Sequence, residues 1–245
     1  MKVRTALLSV AGTILALALI DGAVAFISTR DSLAGPVDIS EVSTIRVEGA
    51  ASDIRITTGA EGPHVAELKG ERRGWGAIWH SGWFSDACPA GGAMRVDGNT
   101  LVVDVGSAPR FLDWSDCTME LAADLRPGSA VIVDQKAART RLDGDFSVVD
   151  IRSDAGDISL DGHAENLTIS GAALRARITF EKVMQNETIA LSGKMLDATL
   201  RFLQPTPISY LVEATASFVD SALPNTPGAK PTITIRGDML RARIE

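Results

Sequence analysis

The chain has 245 residues with a formal net charge of -7 and an isoelectric point near 5.1, so it carries no broad basic field to hold a phosphate backbone or anionic headgroups. Hydrophobic residues make up 45% and charged residues 22%, which supplies a core and excludes a long disordered chain. No Pro/Ser-rich stretch divides the interior, so one large domain is expected.

Residues 1–27 read as a targeting segment. Lys2 and Arg4 form a positive start, Ala6 to Ile20 is apolar, and Ala23-Val24-Ala25 supplies the small-x-small pattern that a signal peptidase reads. The apolar character resumes through Phe26 and Ile27, so the alternative to a cleaved signal peptide is an uncleaved anchor helix. Asp21 argues against a stable span, because a carboxylate in hydrocarbon is costly. Export is expected on either reading, to the periplasm or cell surface, with membrane contact only through residues 1–27 if they are retained. Residues 28–44 follow as a linker, and a β-repeat domain is expected over 45–245.

That domain opens with TIRVEGAASDIRI, in which Val47 and Ile56 lie nine residues apart on alternating runs. The stretch at about 71–117 breaks the pattern. Trp75, Trp79, Trp83 and Trp114 all fall in it, with Phe84, Phe111, Cys88 and Cys117. It is Gly-rich and does not alternate, so a long loop or irregular cap is expected to interrupt the strands. The tryptophans fit a cap over an open strand end, the reading favoured here, or a binding surface for sugars or a partner's apolar groups. The spacing of Trp75, Trp79 and Trp83 also fits one face of a short helix. In an oxidising compartment Cys88 and Cys117 are expected to form a disulfide rather than a metal site, since no CxxC or paired His offers further ligands. It would close a loop of about 30 residues and contribute on the order of 3 kcal/mol.

The second half carries an internal repeat. Segments starting at Val131, Val149, Leu167 and Ile189 read VIVDQKAARTRL, VDIRSDAGDISL, LTISGAALRARI and IALSGKMLDATL, offset by 18, 18 and 22 residues. Each has two alternating runs around a small or turn-forming patch, the pattern of strand, tight corner, strand. Stacking them places Val133, Ile151, Ile169 and Leu191 in one inward ladder and Leu142, Leu160, Ile178 and Leu200 in another. One such coil cannot bury its own apolar face, whereas stacked coils bury a continuous one. The expected fold class is therefore all-β: a β-solenoid, a single-stranded parallel β-helix-like repeat domain behind an N-terminal signal or anchor helix. The outward positions give a separate test of register, because Arg139, Asp157, Arg175 and Asp197 then also stack, with alternating sign. Further along, Pro205 and Pro207 suit an edge or corner, and Ile235 to Ile244 repeats the nine-residue spacing.

No GxSxG, P-loop or dinucleotide fingerprint occurs. His64, His80 and His163 lack ligand spacing and read as surface or turn residues, and the Asp-rich corners such as Asp154 to Asp157 fit no calcium loop. No cofactor or metal is expected, and no nucleic acid.

Around DGDFSVVDIRSDAGDISLDGHAENLTISG the chain resembles the bacterial putative-adhesin family of β-strand-repeat proteins, a domain of unknown function. The resemblance covers roughly residues 118 to 245, with a family-like strand pair at Thr44 to Thr57, and rests on Gly-Asp corners between short Val/Ile strands. It implies a solenoid-like β fold and a surface or periplasmic location, and supplies no catalytic residues. The chain departs from the family's simpler members in the Trp- and Cys-bearing stretch.

The leading expectation is a non-enzymatic envelope protein presenting a face to a protein or cell-wall glycan. A carbohydrate-active β-helix enzyme would need carboxylates or bases converging on a cleft; Arg175 and Arg177 beside Asp157 and Ser159 come nearest. A third expectation is the structural domain of a membrane-anchored sensor, which retention of residues 1–27 would favour.

Overall fold

The computed structural model describes residues 35–73, 92–106, 116–184 and 186–245. The signal or anchor helix, the four tryptophans, His80 and Cys88 lie outside the described residues, so the disulfide does too. Among the described residues the chain is all-β, with no helix. The strands are β1 (Val37–Asp38), β2 (Thr44–Thr58), β3 (Val65–Arg73), β4 (Gly92–Asp97), β5 (Thr100–Val105), β6 (Asp116–Leu125), β7 (Ser129–Phe180), β8 (Thr188–Phe202), β9 (Ser209–Ser221) and β10 (Thr232–Ile244). They form one mixed sheet in the order β1-β3-β6-β2-β7-β8-β10-β9, with β5 also beside β2 and β4 beside β5.

β7 has 52 residues. Fully extended, it would reach about 170 Å. Instead it turns back on itself at the 18-residue offset of the repeat. A Cβ on Gly162 would collide with the Gly144 carbonyl oxygen, and one on Gly171 with that of Ser153, so these backbones lie against each other. Gly144 and Gly162 have φ of 115° and 135°, a region open to glycine that lets the chain turn each corner without a side chain between coils.

The expected register is present in the paired strands. Ile169 lies opposite Leu191 and Ile178 opposite Leu200. Leu191 and Leu200 in turn face Ile235 and Ile244, while Val133 and Leu142 face Val47 and Ile56. These aliphatics are at most 2% exposed. Their burial is the largest favourable contribution to the fold, since a fully buried Val, Leu or Ile side chain contributes about 1.5–3 kcal/mol over an exposed one. Phe180 and Phe202 close one side of the column as a stacked pair, with ring centroids 5.2 Å apart.

Several features differ from the sequence reading. The sheet is not wholly parallel: β1–β3, β3–β6 and β4–β5 are antiparallel; β4 and β5 are joined by a two-residue hairpin, while β3 and β1 are added to β6 at one end of the sheet by longer connections. Within the 28–44 segment read as linker, Val37–Asp38 pair with β3, and Ile39 and Val42 are buried. The stretch at 71–117, read as irregular, contains β4, β5 and the start of β6. There β5 pairs with the first arm of β2 and β6 with its second arm, so the two together make one further coil, split at its corner. In keeping with the expectation from Pro205 and Pro207, β9, the strand that follows them, lies at the edge, with β10 between it and β8.

His64 and His163 are buried rather than at the surface, at 6% and 5% exposure. Each faces a carboxylate. His64 Nδ1 lies 3.5 Å from Asp124 Oδ2, and His163 Nε2 lies 3.0 Å from Glu187 Oε1. Glu187 is fully buried; its Oε1 also accepts from the Met184 N–H and its Oε2 from the Asn186 N–H at 3.1 Å. One carboxylate thus ties the longer corner between β7 and β8, the source of the 22-residue offset, to the corner at His163.

Candidate functional site

The second arm of each coil sends alternate side chains outward, and the register stacks these into columns. One column runs Asp53, Arg139, Asp157, Arg175, Asp197, Arg241. Asp53 pairs with Arg139, Arg175 with Asp197, and Asp197 with Arg241, while the 18-residue offset places Asp157 between Arg139 and Arg175. The alternation expected for four rungs therefore extends over six. At strand spacing the column is about 24 Å long.

The charges are held differently along it. Asp53 is 3% exposed and is approached by Arg139 at 3.9 Å and Arg141 at 3.4 Å. Arg175 and Asp197 are 3.5 Å apart, with both side chains about half exposed. Asp157 is met diagonally by Arg177, Nη2 to Oδ1 2.7 Å. Exposed pairs of this kind contribute about 0.2–1 kcal/mol each, so the column does little to hold the fold together. Alternation does remove the like-charge repulsion that a scrambled order would bring.

Beside the charged column, toward the corner, stands a column of small and flexible apolar residues. Ala51 pairs with Ala137, Ala173 with Met195, Met195 with Met239, and Met239 with Ala216. Met195 and Met239 are 50% and 57% exposed. The short side chains leave an open groove of about 760 Å3 over Ala173, Met195, Met239 and Ala216, which continues past Gly156 and Ala173 into a hollow of about 530 Å3 beside Ala51 and Ala137. On the far side of the charged column lies an arginine-rich one: Arg55 opposite Arg141, then Ser159, and Arg177 opposite Thr199, itself opposite Arg243.

A separate polar hollow of about 590 Å3 lies over the first arms, lined by charges of both signs, Glu48, Asp134, Lys136, Arg152 and Asp154, with Glu48 directly opposite Asp134. Among the described residues no group of three or more His, Cys, Asp or Glu is spaced to hold a metal ion. Arg175, Arg177, Asp157 and Ser159, the nearest approach to a catalytic group in the sequence, lie along the sheet face at strand spacing and do not converge on one point. Trp75, Trp79, Trp83 and Trp114 are outside the described residues; of the two cysteines, Cys117 lies in β6 opposite Arg72.

Sequence reasoning missed Asp53 and Arg241 as rungs, as well as the whole Ala/Met column. Counting the alternation outward by the nine-residue spacing of the flanking copies was enough to find the first two. The groove had no such signal, because scattered alanines and methionines read as filler until register brings them together.

No family model matches the chain, and no curated protein matches it. Two solved structures are similar in part. A putative cell adhesion protein from Clostridium sporogenes ATCC 15579 is 9% identical, with 84% of this chain and 92% of that one covered, at a TM-score of 0.36. A putative adhesin from Bacteroides fragilis NCTC 9343 is 12% identical, with 85% and 94% covered, at a TM-score of 0.41. At these scores neither likeness bears on function, and we rest the functional reading on this chain's own surface.

Proposed function

We propose that the chain is a non-enzymatic, exported, adhesin-like envelope protein, whose coils stack as a β-solenoid and present the grooved, charge-laddered flank to a protein or cell-wall glycan. The observation that carries this reading is the six-rung alternation of Asp and Arg beside the Ala/Met groove. A repeated, shallow, mixed-charge surface suits contact along a length, whereas catalysis needs groups gathered at one reacting centre. Exposed methionines add to this, since their flexible thioethers adapt to an opposing surface.

The tests follow the claims. Mass spectrometry of the mature, non-reduced protein is expected to show loss of the targeting segment, or its retention as an anchor, together with the two-proton deficit of a Cys88–Cys117 disulfide. A photo-crosslinking side chain placed at Met195 or Met239 in intact cells is expected to form adducts, and one at Leu203, exposed elsewhere, is not. Release of soluble fragments from purified peptidoglycan, abolished by Asp157→Asn, would overturn the non-enzymatic reading.

A further inference from the structure

We propose that the charged flank binds a linear glycan carrying an acid group on every second sugar. The inference rests on the contact-surface reading above and names its occupant. Its basis is a doubling of the arginines on alternate coils. Arg139 with Arg141, Arg175 with Arg177, and Arg241 with Arg243 each stand two residues apart on the second arm of one coil, all exposed. The coils between carry Asp157 with Ser159 and Asp197 with Thr199 at the same places, and these four are only part-exposed. Arg175 therefore stands two coils from Arg139 on one side and two from Arg241 on the other, about 9.5 Å each way.

Ion pairing within the sheet accounts for one arginine of each pair and leaves the other. Arg139, Arg175 and Arg241 each lie beside a carboxylate in their own column. Arg141 has Arg55 and Ser159 as its neighbours, and Arg177 has Ser159 and Thr199, so neither meets an acid directly opposite. Each reaches one only on the diagonal, Asp53 at 3.4 Å and Asp157 at 2.7 Å. A guanidinium has five N–H donors, so a carboxylate on one edge leaves others free, and these side chains remain about half exposed. In a chain of net charge -7, positive charge is thus gathered into one strip, with Asp143 and Asp161 along one bank and the Ala/Met groove along the other.

An extended glycan lying along the stack advances by close to one strand spacing per sugar, so alternate sugars fall on alternate coils. A carboxylate on every second sugar then meets a pair of guanidiniums, whose planar forks suit its two oxygens. The sugars between present hydroxyls to Asp157 and Ser159 or to Asp197 and Thr199, which accept or exchange hydrogen bonds. The groove over Ala173, Met195 and Met239 takes C–H ring faces and acetamido methyl groups, because flexible thioethers fit irregular apolar surfaces. A peptide strand on the same path repeats its side chains on one face about every 6.7 Å and is out of step by the second arginine pair. Recognition is largely electrostatic, so salt weakens it.

The experiment is isothermal titration calorimetry of the mature protein at low and high salt with four probes. These are a hexasaccharide alternating glucuronate with N-acetylglucosamine, an all-uronate hexasaccharide, the neutral N-acetylglucosamine hexamer, and peptidoglycan glycan strands stripped of stem peptides, which carry a lactyl carboxylate on every second sugar. An alternating probe is expected to bind about tenfold or more tighter than the all-uronate and neutral chains. Binding of the uronate probe alone or of the wall strands alone identifies the source of the acid. The double variant R175Q/R177Q, with a melting curve to establish folding, is expected to weaken binding by about tenfold or more. Should it not fold, R241Q/R243Q carries the same test. A folded variant that binds like the wild type overturns the proposal, as does an all-uronate or neutral chain that binds as tightly as the alternating ones. Failure of both alternating probes to bind also overturns it: adducts from Met195 to a protein then leave the contact surface standing, and their absence removes both.

Discussion

The two ends of the sheet are finished differently. At one end the parallel coils are covered by antiparallel strands, β3 on β6 and β1 on β3, and the buried Ile39 and Val42 pack beneath them. At the other end β9 runs parallel to β10 and stops the stack with Leu211 and Phe218 at 51% and 62% exposure. Only its start is capped, where the Asn225 side chain accepts from the Tyr210 N–H and donates to the Tyr210 carbonyl, both at 3.0 Å, in place of a further strand. One ladder crosses from the middle to this edge: Ile169, Leu191 and Ile235 are at most 1% exposed, while Val212, next in register, is only partly buried. Burial in such a stack therefore comes from having a coil on each side, not from the residue type alone.

That difference sets the largest expected effect. Ile169→Ala should lower stability by about 3–4 kcal/mol, whereas Val212→Ala, in the same ladder, should cost about 1 kcal/mol. Urea unfolding of the two variants measures the contrast, and equal losses would contradict it. Glu187→Ala comes next, at about 3 kcal/mol, because it leaves buried His163 and two backbone N–H groups without their acceptor. Glu187→Gln should recover part of that loss by keeping an acceptor oxygen.

Smaller effects sharpen the picture. Thr140 is fully buried opposite Ile54 in an otherwise apolar column, and its hydroxyl has no hydrogen-bond partner among the described residues. Thr140→Val should raise the melting temperature, corresponding to about 1 kcal/mol of added stability. At the edge, Leu211→Thr should change stability by no more than about 0.5 kcal/mol, since little surface there is shielded from water.

The central coils were legible because their spacing is nearly constant and the two ladders Val133-Ile151-Ile169-Leu191 and Leu142-Leu160-Ile178-Leu200 are wholly aliphatic. The coil made by β5 and β6 was hidden for the converse reason: Val103 and Ala123, the partners of Val47 and Ile56, stand twenty residues apart instead of nine. The insertion lengthens its corner and erases the period. The insertion of β10 beside β8 was only half legible: Pro205 and Pro207 pointed the strand after them to an edge, but both strands alternate and both fit beside β8 by pattern alone. The burial of Glu187 had no signal in the sequence, since nothing local says that a carboxylate between two strands is enclosed. On the charged face, alternation survived in the sequence because each rung is one residue per coil. The groove beside it depends on side chains being absent, and only three-dimensional register shows where those absences line up.

Backbone NOE contacts in solution test the coil stacking most directly. In perdeuterated, amide-labelled protein, amides near Ile151 should show contacts to residues 131–135 on one side and 167–171 on the other. Contacts joining Ile151 to any other strand, or a helical pattern of sequential amide contacts through it, would contradict the stacked-coil account.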